Sequence, residues 1–120
     1  MDMVYVGAGG FLGAVFRCLI YRAFSVVNKG LPWGTLLVNI LGSFILAYIY
    51  TFSVERLAWS DNVKLFLGVG LLGAFTTFST FPLETLRLFQ EGNYGLCATY
   101  FLGNVILSLA AAFFGMWLAL

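Results

Sequence analysis

Hydroxyl groups and aromatic rings alternate in one short stretch of the sequence, between Gly73 and Pro82. Hydroxyls donate hydrogen bonds, and the edge of a phenyl ring carries a positive partial charge. The ring edges can solvate a small anion and present nothing to a cation, although most of the 13 phenylalanines are expected only to pack. The chemistry therefore favours an anion pathway that includes Phe78, Ser79, Thr80 and Phe81.

The same stretch predicts an interruption in a membrane helix. Gly73 opens it, and Pro82, which lacks an N–H and suits the first turn of a helix, closes it. In a bilayer, backbone that departs from the helix is tolerated only where it is buried in protein or lines a polar cavity. Helix ends at such a point expose N–H groups on one side and carbonyl groups on the other. We expect the third helix to be broken here and the break to be the functional centre.

Two further helices carry a polar side chain at every fourth residue, which places these side chains on one face of each helix. The stripes either form hydrogen bonds between helices, typically worth about 0.6 kcal/mol each in membranes, or line a polar pathway. The neighbouring hydroxyl-rich stretch favours the pathway, and an amide within a membrane segment makes Asn39 the strongest single candidate. The stripes consist of Thr35, Asn39 and Ser43 on the earlier helix and of Tyr100, Asn104 and Ser108 on the later one.

The charged residues indicate which ion such a pathway would carry. The one basic residue deep in a segment is Arg17, which either snorkels to the interface or attracts anions. Because the chain has no histidine, we expect no nucleophile–base pair or metal cluster and no enzyme, and a net charge of +1 gives no case for nucleic acid. The acidic residues all fall in linkers or near segment ends, at Asp2, Glu55, Asp61, Glu84 and Glu91.

The composition requires a membrane to surround these elements. Of the 120 residues, 62% are hydrophobic and 9% are charged, whereas soluble domains are about 45–50% apolar and about 25% charged. A spanning helix needs roughly 20 mostly apolar residues, and four segments qualify. We expect one all-α transmembrane domain over residues 1–120, with helices at about residues 4–27, 34–52, 65–89 and 94–120.

Basic residues give the chain almost no preferred orientation. If the segments alternate, Arg22, Lys29 and Arg87 lie on one side of the membrane and Arg56 and Lys64 on the other. The Lys/Arg difference between the two sides orients membrane proteins, so this chain can insert both ways round. That permits an antiparallel pair of identical subunits, and four short helices are too few to enclose a pathway alone.

Three motifs resemble those of the small bacterial fluoride channels, also called the camphor-resistance or Fluc family. Residues 9–17 resemble the family's G-G-x-x-G-A-x-x-R, residues 34–44 its G-T-L-x-V-N-x-x-G-S-F, and residues 73–81 its signature ending in T-T-F-S-T-F. They occur in order over nearly the whole chain. The resemblance implies a lipid-embedded, fluoride-selective channel of the bacterial inner membrane that passively exports fluoride, built as an antiparallel, dual-topology homodimer with two pores.

The resemblance also implies roles for individual residues. Asn39, Phe78 and Phe81 would line the pores, and Arg17 would attract anions in a vestibule. A structural sodium ion on the dimer axis would be held by backbone carbonyls that belong to Gly73 and Ala74. At the position of Asn104, serine is more usual in the family. The further pore positions implied are Ser79, Thr80, Thr35, Tyr100, Asn104 and Ser108.

Two other functions fit parts of the pattern. A small multidrug-type, proton-coupled antiporter is also a four-helix dual-topology dimer, but it needs an acid in the first helix, where no acid follows Asp2. A membrane assembly subunit without transport would account for the polar stripes. It would leave the hydroxyl-rich interruption unexplained.

Overall fold

The computed structural model describes residues 2–25, 31–55 and 59–120, which contain five helical elements and no strand. Four stretches in this part of the chain are long and apolar enough to cross a membrane, with α3 and α4 together forming the third. The prediction of an all-α chain with four candidate spans is confirmed for the described residues. The elements are α1 (Asp2–Ser25), α2 (Trp33–Glu55), α3 (residues 61–75), α4 (Thr80–Gln90) and α5 (Tyr94–Ala119).

The third span begins earlier than the sequence predicted. Charged residues suggested a start at about Leu65, but the helix begins at Asp61. The Ser60 side chain accepts a hydrogen bond from the backbone N–H of Val63, and the carboxylate of Asp61 lies at the positive end of the helix. The predicted end of the first helix, at residues 26 and 27, lies outside the described residues.

The connection between α4 and α5 is a Schellman turn. The N–H of Asn93 donates to the carbonyl of Leu88, and the N–H of Gly92 donates to the carbonyl of Phe89, both at 3.0 Å. Gly92 has a φ of 80°, a left-handed conformation that glycine adopts without steric cost. The turn ends α4 and directs α5 back alongside it.

Glycines allow α1 and α3 to approach closely. The middle of α3, Leu65–Leu72, is π-helical. A Cβ atom on Gly9 would collide with the carbonyl oxygen of Phe66, and one on Gly70 would lie 2.7 Å from the carbonyl oxygen of Val6. The G-x-x-x-G pair of α1, Gly9 and Gly13, thus packs against α3, as small residues do between membrane helices.

Most of the apolar surface of the chain faces outward. Phe11 is 70% exposed and Phe113 is 73% exposed, which is typical of side chains that contact lipid or another subunit rather than water. One compact cluster of buried side chains joins the beginning of α2 to α4 and α5. Its members are Leu31, Leu36, Phe81, Leu88 and Tyr100.

Candidate functional site

Residues 76–79 separate α3 from α4 and contact α2. Helix α3 ends at Phe75, and Thr76 is extended, with φ −83° and ψ 163°. Both the N–H and the hydroxyl of Thr76 donate to the carbonyl of Leu72, at 3.1 and 3.0 Å. A Cβ atom on Gly42 would collide with the methyl group of Thr76, so the glycine is what lets α2 lie directly against this segment.

The hydroxyl of Thr77 organises the restart of the helix. It accepts a hydrogen bond from the N–H of Thr80 at 3.3 Å and lies 3.2 Å from the Thr80 hydroxyl. The hydroxyl of Ser79 is 3.5 Å from it. Ser79 and Thr80, two predicted pore donors, therefore surround Thr77 and are not among the lining residues of the cavity described below.

A chain of side-chain amides connects this segment to α2 and α5. The Oδ1 atom of Asn39 accepts from the backbone N–H of Thr77 at 2.9 Å, and its Nδ2 atom donates to Oδ1 of Asn104 at 3.0 Å. The Nδ2 atom of Asn104 in turn donates to the carbonyl of Tyr100 at 3.0 Å. Asn39 and Asn104, predicted from two separate stripes, are therefore direct partners.

A cavity of about 460 Å³ lies beside these residues. It contains five of the predicted pore residues, namely Asn39, Phe78, Phe81, Asn104 and Ser108. The rings of Phe78 and Phe81 meet edge to face, with centroids 5.9 Å apart and an interplanar angle of 69°. The Ser108 hydroxyl is buried and has no partner among the described residues. The rest of the lining is Ser43, Thr76, Thr77, Val105, Leu109 and Ala112, so no charged side chain is included.

The other two predicted pore residues meet at a carboxylate. The hydroxyls of Thr35 and Tyr100 donate to the same oxygen of Glu84, at 2.6 and 2.8 Å. Tyr21 places its hydroxyl 3.2 Å from that of Thr35. A second cavity, of about 170 Å³, is lined by Tyr21, Thr35 and Glu84 together with Phe24, Pro32, Trp33 and Gly34.

Comparison with known proteins identifies the family. Residues 4–116 match the sequence profile of a family described as "CrcB-like protein, Camphor Resistance (CrcB)". The chain belongs to the CrcB family. Relatives named fluoride-specific ion channel FluC include those of Agrobacterium fabrum, 41% identical over 97% of this chain and 94% of the relative, and Magnetococcus marinus, 43% identical over 97% and 95%. A third, from a Shewanella species, is 45% identical over 98% and 91%. With four candidate spans, this CrcB chain is a multi-pass bacterial membrane protein, and the relatives' names give no support to an antiporter.

Sequence reasoning missed Glu84 in this CrcB chain. The sequence places it near the end of the third segment, away from the predicted pathway, but the structure brings it into contact with Thr35 and Tyr100. The restart of the helix at Thr80 turns Glu84 toward α2 and α5. Glu84 follows Phe81 by three residues, so the two share a helix face, and that spacing was the signal that could have found it.

The carbonyl groups of Gly73 and Ala74, to which the family resemblance assigns a sodium ion, lie in the last turn of α3. In a continuous α-helix they would accept from the N–H groups of Thr77 and Phe78. Both donors lie beyond the last helical residue, and that of Thr77 is used by Asn39. Carbonyl oxygens freed in this way are suitable ligands for a hard cation. Arg17, the predicted vestibule residue, is half-buried on α1 and lines neither cavity.

Proposed function

We propose that this CrcB chain forms a fluoride-selective channel through which fluoride leaves the cytoplasm passively across the bacterial inner membrane. The names of its relatives, at about 40% identity over nearly the full length, support this function. The structural observation that carries the proposal is the 460 Å³ cavity, whose lining offers hydrogen-bond donors and ring edges but no charged side chain. Passive conduction of an ion requires such a pathway and does not require a catalytic group.

Each part of the cavity has a task in this proposal. Fluoride leaving water needs donors that replace its hydration shell, and Ser108 has a hydroxyl to which no group of the described residues is hydrogen-bonded. Asn39 has one amide N–H left after its bond to Asn104. The edges of Phe78 and Phe81 supply positive partial charge between these donors. Beyond the cavity, the pathway passes Thr35 and Tyr100 at one end and Ser79 and Thr80 beside the rings. The hydroxyls of Thr35 and Tyr100 donate to Glu84 in this structure and would have to leave that carboxylate to bind fluoride.

A second copy of the chain would complete this pathway. Phe78 is 78% exposed in one subunit although it lines the cavity, so the cavity is open on the side that lipid or a second subunit would cover. We assign that cover to an antiparallel, dual-topology partner, which the balanced basic residues of the sequence permit. In this arrangement residues 61–90 form one membrane helix broken at residues 76–79, and the dimer has two pores surrounded by lipid.

A sodium ion would stabilise the centre of this dimer. The carbonyls of Gly73 and Ala74 from each subunit would hold it, and its charge would offset the partial negative charge of the two helix ends that meet there. Arg17 would lie in the vestibule, where a guanidinium that keeps its charge raises the local concentration of anions.

The experiment is ion efflux from liposomes that contain the purified protein, with fluoride and chloride measured by ion-selective electrodes in one preparation. Ser108→Ala is the sharpest variant, because it removes a buried hydroxyl that has no partner in the described part of the chain and therefore leaves the fold intact. Thr51→Val is its matched control, since Thr51 also has a buried hydroxyl without a partner in the described chain but does not line the cavity.

We expect rapid fluoride release, negligible chloride release, and a fluoride rate lowered about ten- to hundredfold by Ser108→Ala, because one hydrogen bond to a charged group contributes about 1.5–3 kcal/mol. Thr51→Val should conduct like the unmodified protein. Fluoride retained by liposomes containing a folded dimer would refute the channel. Equal fluoride efflux rates for Ser108→Ala and Thr51→Val would show that this cavity is not part of the pathway.

A further inference from the structure

We infer that Asn104 is a positioning residue, which turns the side-chain amide of Asn39 so that an N–H group, and not the carbonyl oxygen, faces the ion pathway. The inference rests on the proposed function and adds what determines which end of the Asn39 amide faces the ion. Asn104 is only 4% exposed, and both ends of its amide are hydrogen-bonded within the protein.

The groups at the two ends of the amide chain leave one arrangement. A backbone N–H can only donate, so the Asn39 atom that lies 2.9 Å from the nitrogen of Thr77 must be the oxygen. A backbone carbonyl can only accept, so the Asn104 atom that faces Tyr100 must be the nitrogen. Between them, Nδ2 of Asn39 meets Oδ1 of Asn104. A flip of either amide would place two donors or two acceptors against each other.

The backbone of α5 prepares Asn104 for this role. Residues Gly103–Leu107 form a π-helical turn, in which N–H groups bond to the carbonyl five residues earlier. The Tyr100 carbonyl accepts from the backbone N–H of Gly103 and also from the side chain of Asn104. This bond to its own helix fixes one end of the Asn104 amide, so that the other end meets Asn39 on α2.

The consequence appears at Asn39, which lines the cavity. Its oxygen is held by Thr77 and one N–H by Asn104. An asparagine amide has two N–H groups, so the second is the group that Asn39 presents to an ion. An anion is bound by this donor, whereas the flipped amide would present an acceptor and favour a cation.

The test combines amide hydrogen exchange at Thr77 with the fluoride-to-chloride efflux ratio. Asn104→Leu keeps the size of the side chain but removes both hydrogen bonds. Asn104→Asp, compared with the unmodified protein at acidic pH so that its carboxyl is neutral, keeps an oxygen that accepts from Asn39 and a hydroxyl that donates to the carbonyl of Tyr100. Thr99→Val is the control, because the exposed Thr99 hydroxyl also bonds a carbonyl four residues earlier on α5, at 2.9 Å, but does not line the cavity.

We expect Asn104→Leu to raise the exchange rate at Thr77 about five- to tenfold, as the loss of one hydrogen bond does, and to lower the efflux ratio about tenfold. Asn104→Asp should keep the exchange rate within about twofold of the unmodified protein, because the acceptor for Asn39 remains. Thr99→Val should change neither quantity.

Three results overturn the inference. The first is a lower efflux ratio in Asn104→Leu with unchanged exchange at Thr77, which would make Asn104 a direct ion ligand. The second is no change in either measurement. The third, decisive if Asn104→Leu does not fold, is fast exchange at Thr77 in Asn104→Asp. If the unmodified protein conducts no fluoride, the proposed function fails, and the exchange measurements decide the orientation of the amide by themselves.

Discussion

Alanine at Gly13 tests the close contact between α1 and α3. A Cβ atom at this position would overlap the carbonyl oxygen of Leu71 and lie 2.9 Å from the carbonyl carbon of Leu71 and 3.0 Å from the nitrogen of Phe75. These are backbone atoms that cannot rotate away. Because ordinary contact begins at 3.4 Å, the two helices must separate by about 0.5 Å for the carbonyl carbon alone, and by more for the oxygen.

The energetic cost follows from this separation. A gap of 0.5–1 Å forfeits about a quarter to a half of the dispersion energy of the affected atom pairs, and inserting a methyl group into packed structure typically costs about 1–3 kcal/mol. The matched control is Gly7→Ala, since Gly7 is exposed on the same helix and its Cβ would have no atom within 4 Å. Both variants share the gain in helix propensity, about 1 kcal/mol. We therefore expect Gly13→Ala to be about 1–3 kcal/mol less stable than Gly7→Ala.

The assay is unfolding by sodium dodecyl sulfate in mixed micelles, followed by the fluorescence of the three tryptophans. Protein concentration is held constant because association stabilises a folded subunit. Since Phe75 is the last helical residue before residues 76–79, fluoride efflux should fall in Gly13→Ala and not in Gly7→Ala. Equal unfolding midpoints for the two variants would refute the close approach of α1 and α3.

Three further outcomes are expected. Phe81→Leu should slow fluoride efflux about tenfold, a rise of about 1.4 kcal/mol in the barrier, because the Phe81 ring meets the Phe78 ring in the cavity lining. Phe89→Leu, at an exposed ring of α4, should conduct normally. Equal efflux rates for these two variants would contradict the assignment of Phe81 to the pathway. Glu84→Ala should lower the free energy of unfolding by about 1–3 kcal/mol, since two buried hydroxyls lose their acceptor. Glu84→Gln should lower the free energy of unfolding by less, because it keeps an acceptor oxygen. The detergent titration measures both variants and distinguishes them. Gly115→Ala should unfold in circular dichroism at a lower temperature than Gly7→Ala, by an amount equivalent to about 1–3 kcal/mol, because its Cβ would overlap a backbone carbonyl of α2. Equal unfolding temperatures for the two variants would argue against that contact.

The candidate site was partly visible in the sequence. Asn39 was identifiable because an amide in an apolar segment is costly unless it is satisfied, and the four-residue spacing put Asn104 and Ser108 on one helix face. The spacing could not indicate that Asn104 would be the partner of Asn39. Nor could it show that the hydroxyls of Ser79 and Thr80 surround Thr77, since their directions depend on how the backbone turns between α3 and α4.

The sequence by itself determined that the chain is a multi-pass membrane protein with four candidate spans, and which family it belongs to. Both properties are local, because the length of an apolar run and the order of residues in a motif do not depend on distant contacts. Only the tertiary structure decided which polar groups meet. Asn39 reaches a backbone N–H 38 residues away and an amide 65 residues away, and Glu84 collects hydroxyls from α2 and α5. Such partnerships depend on the rotation and depth of each helix, which are set by the packing of glycines and rings between helices and not by any one segment.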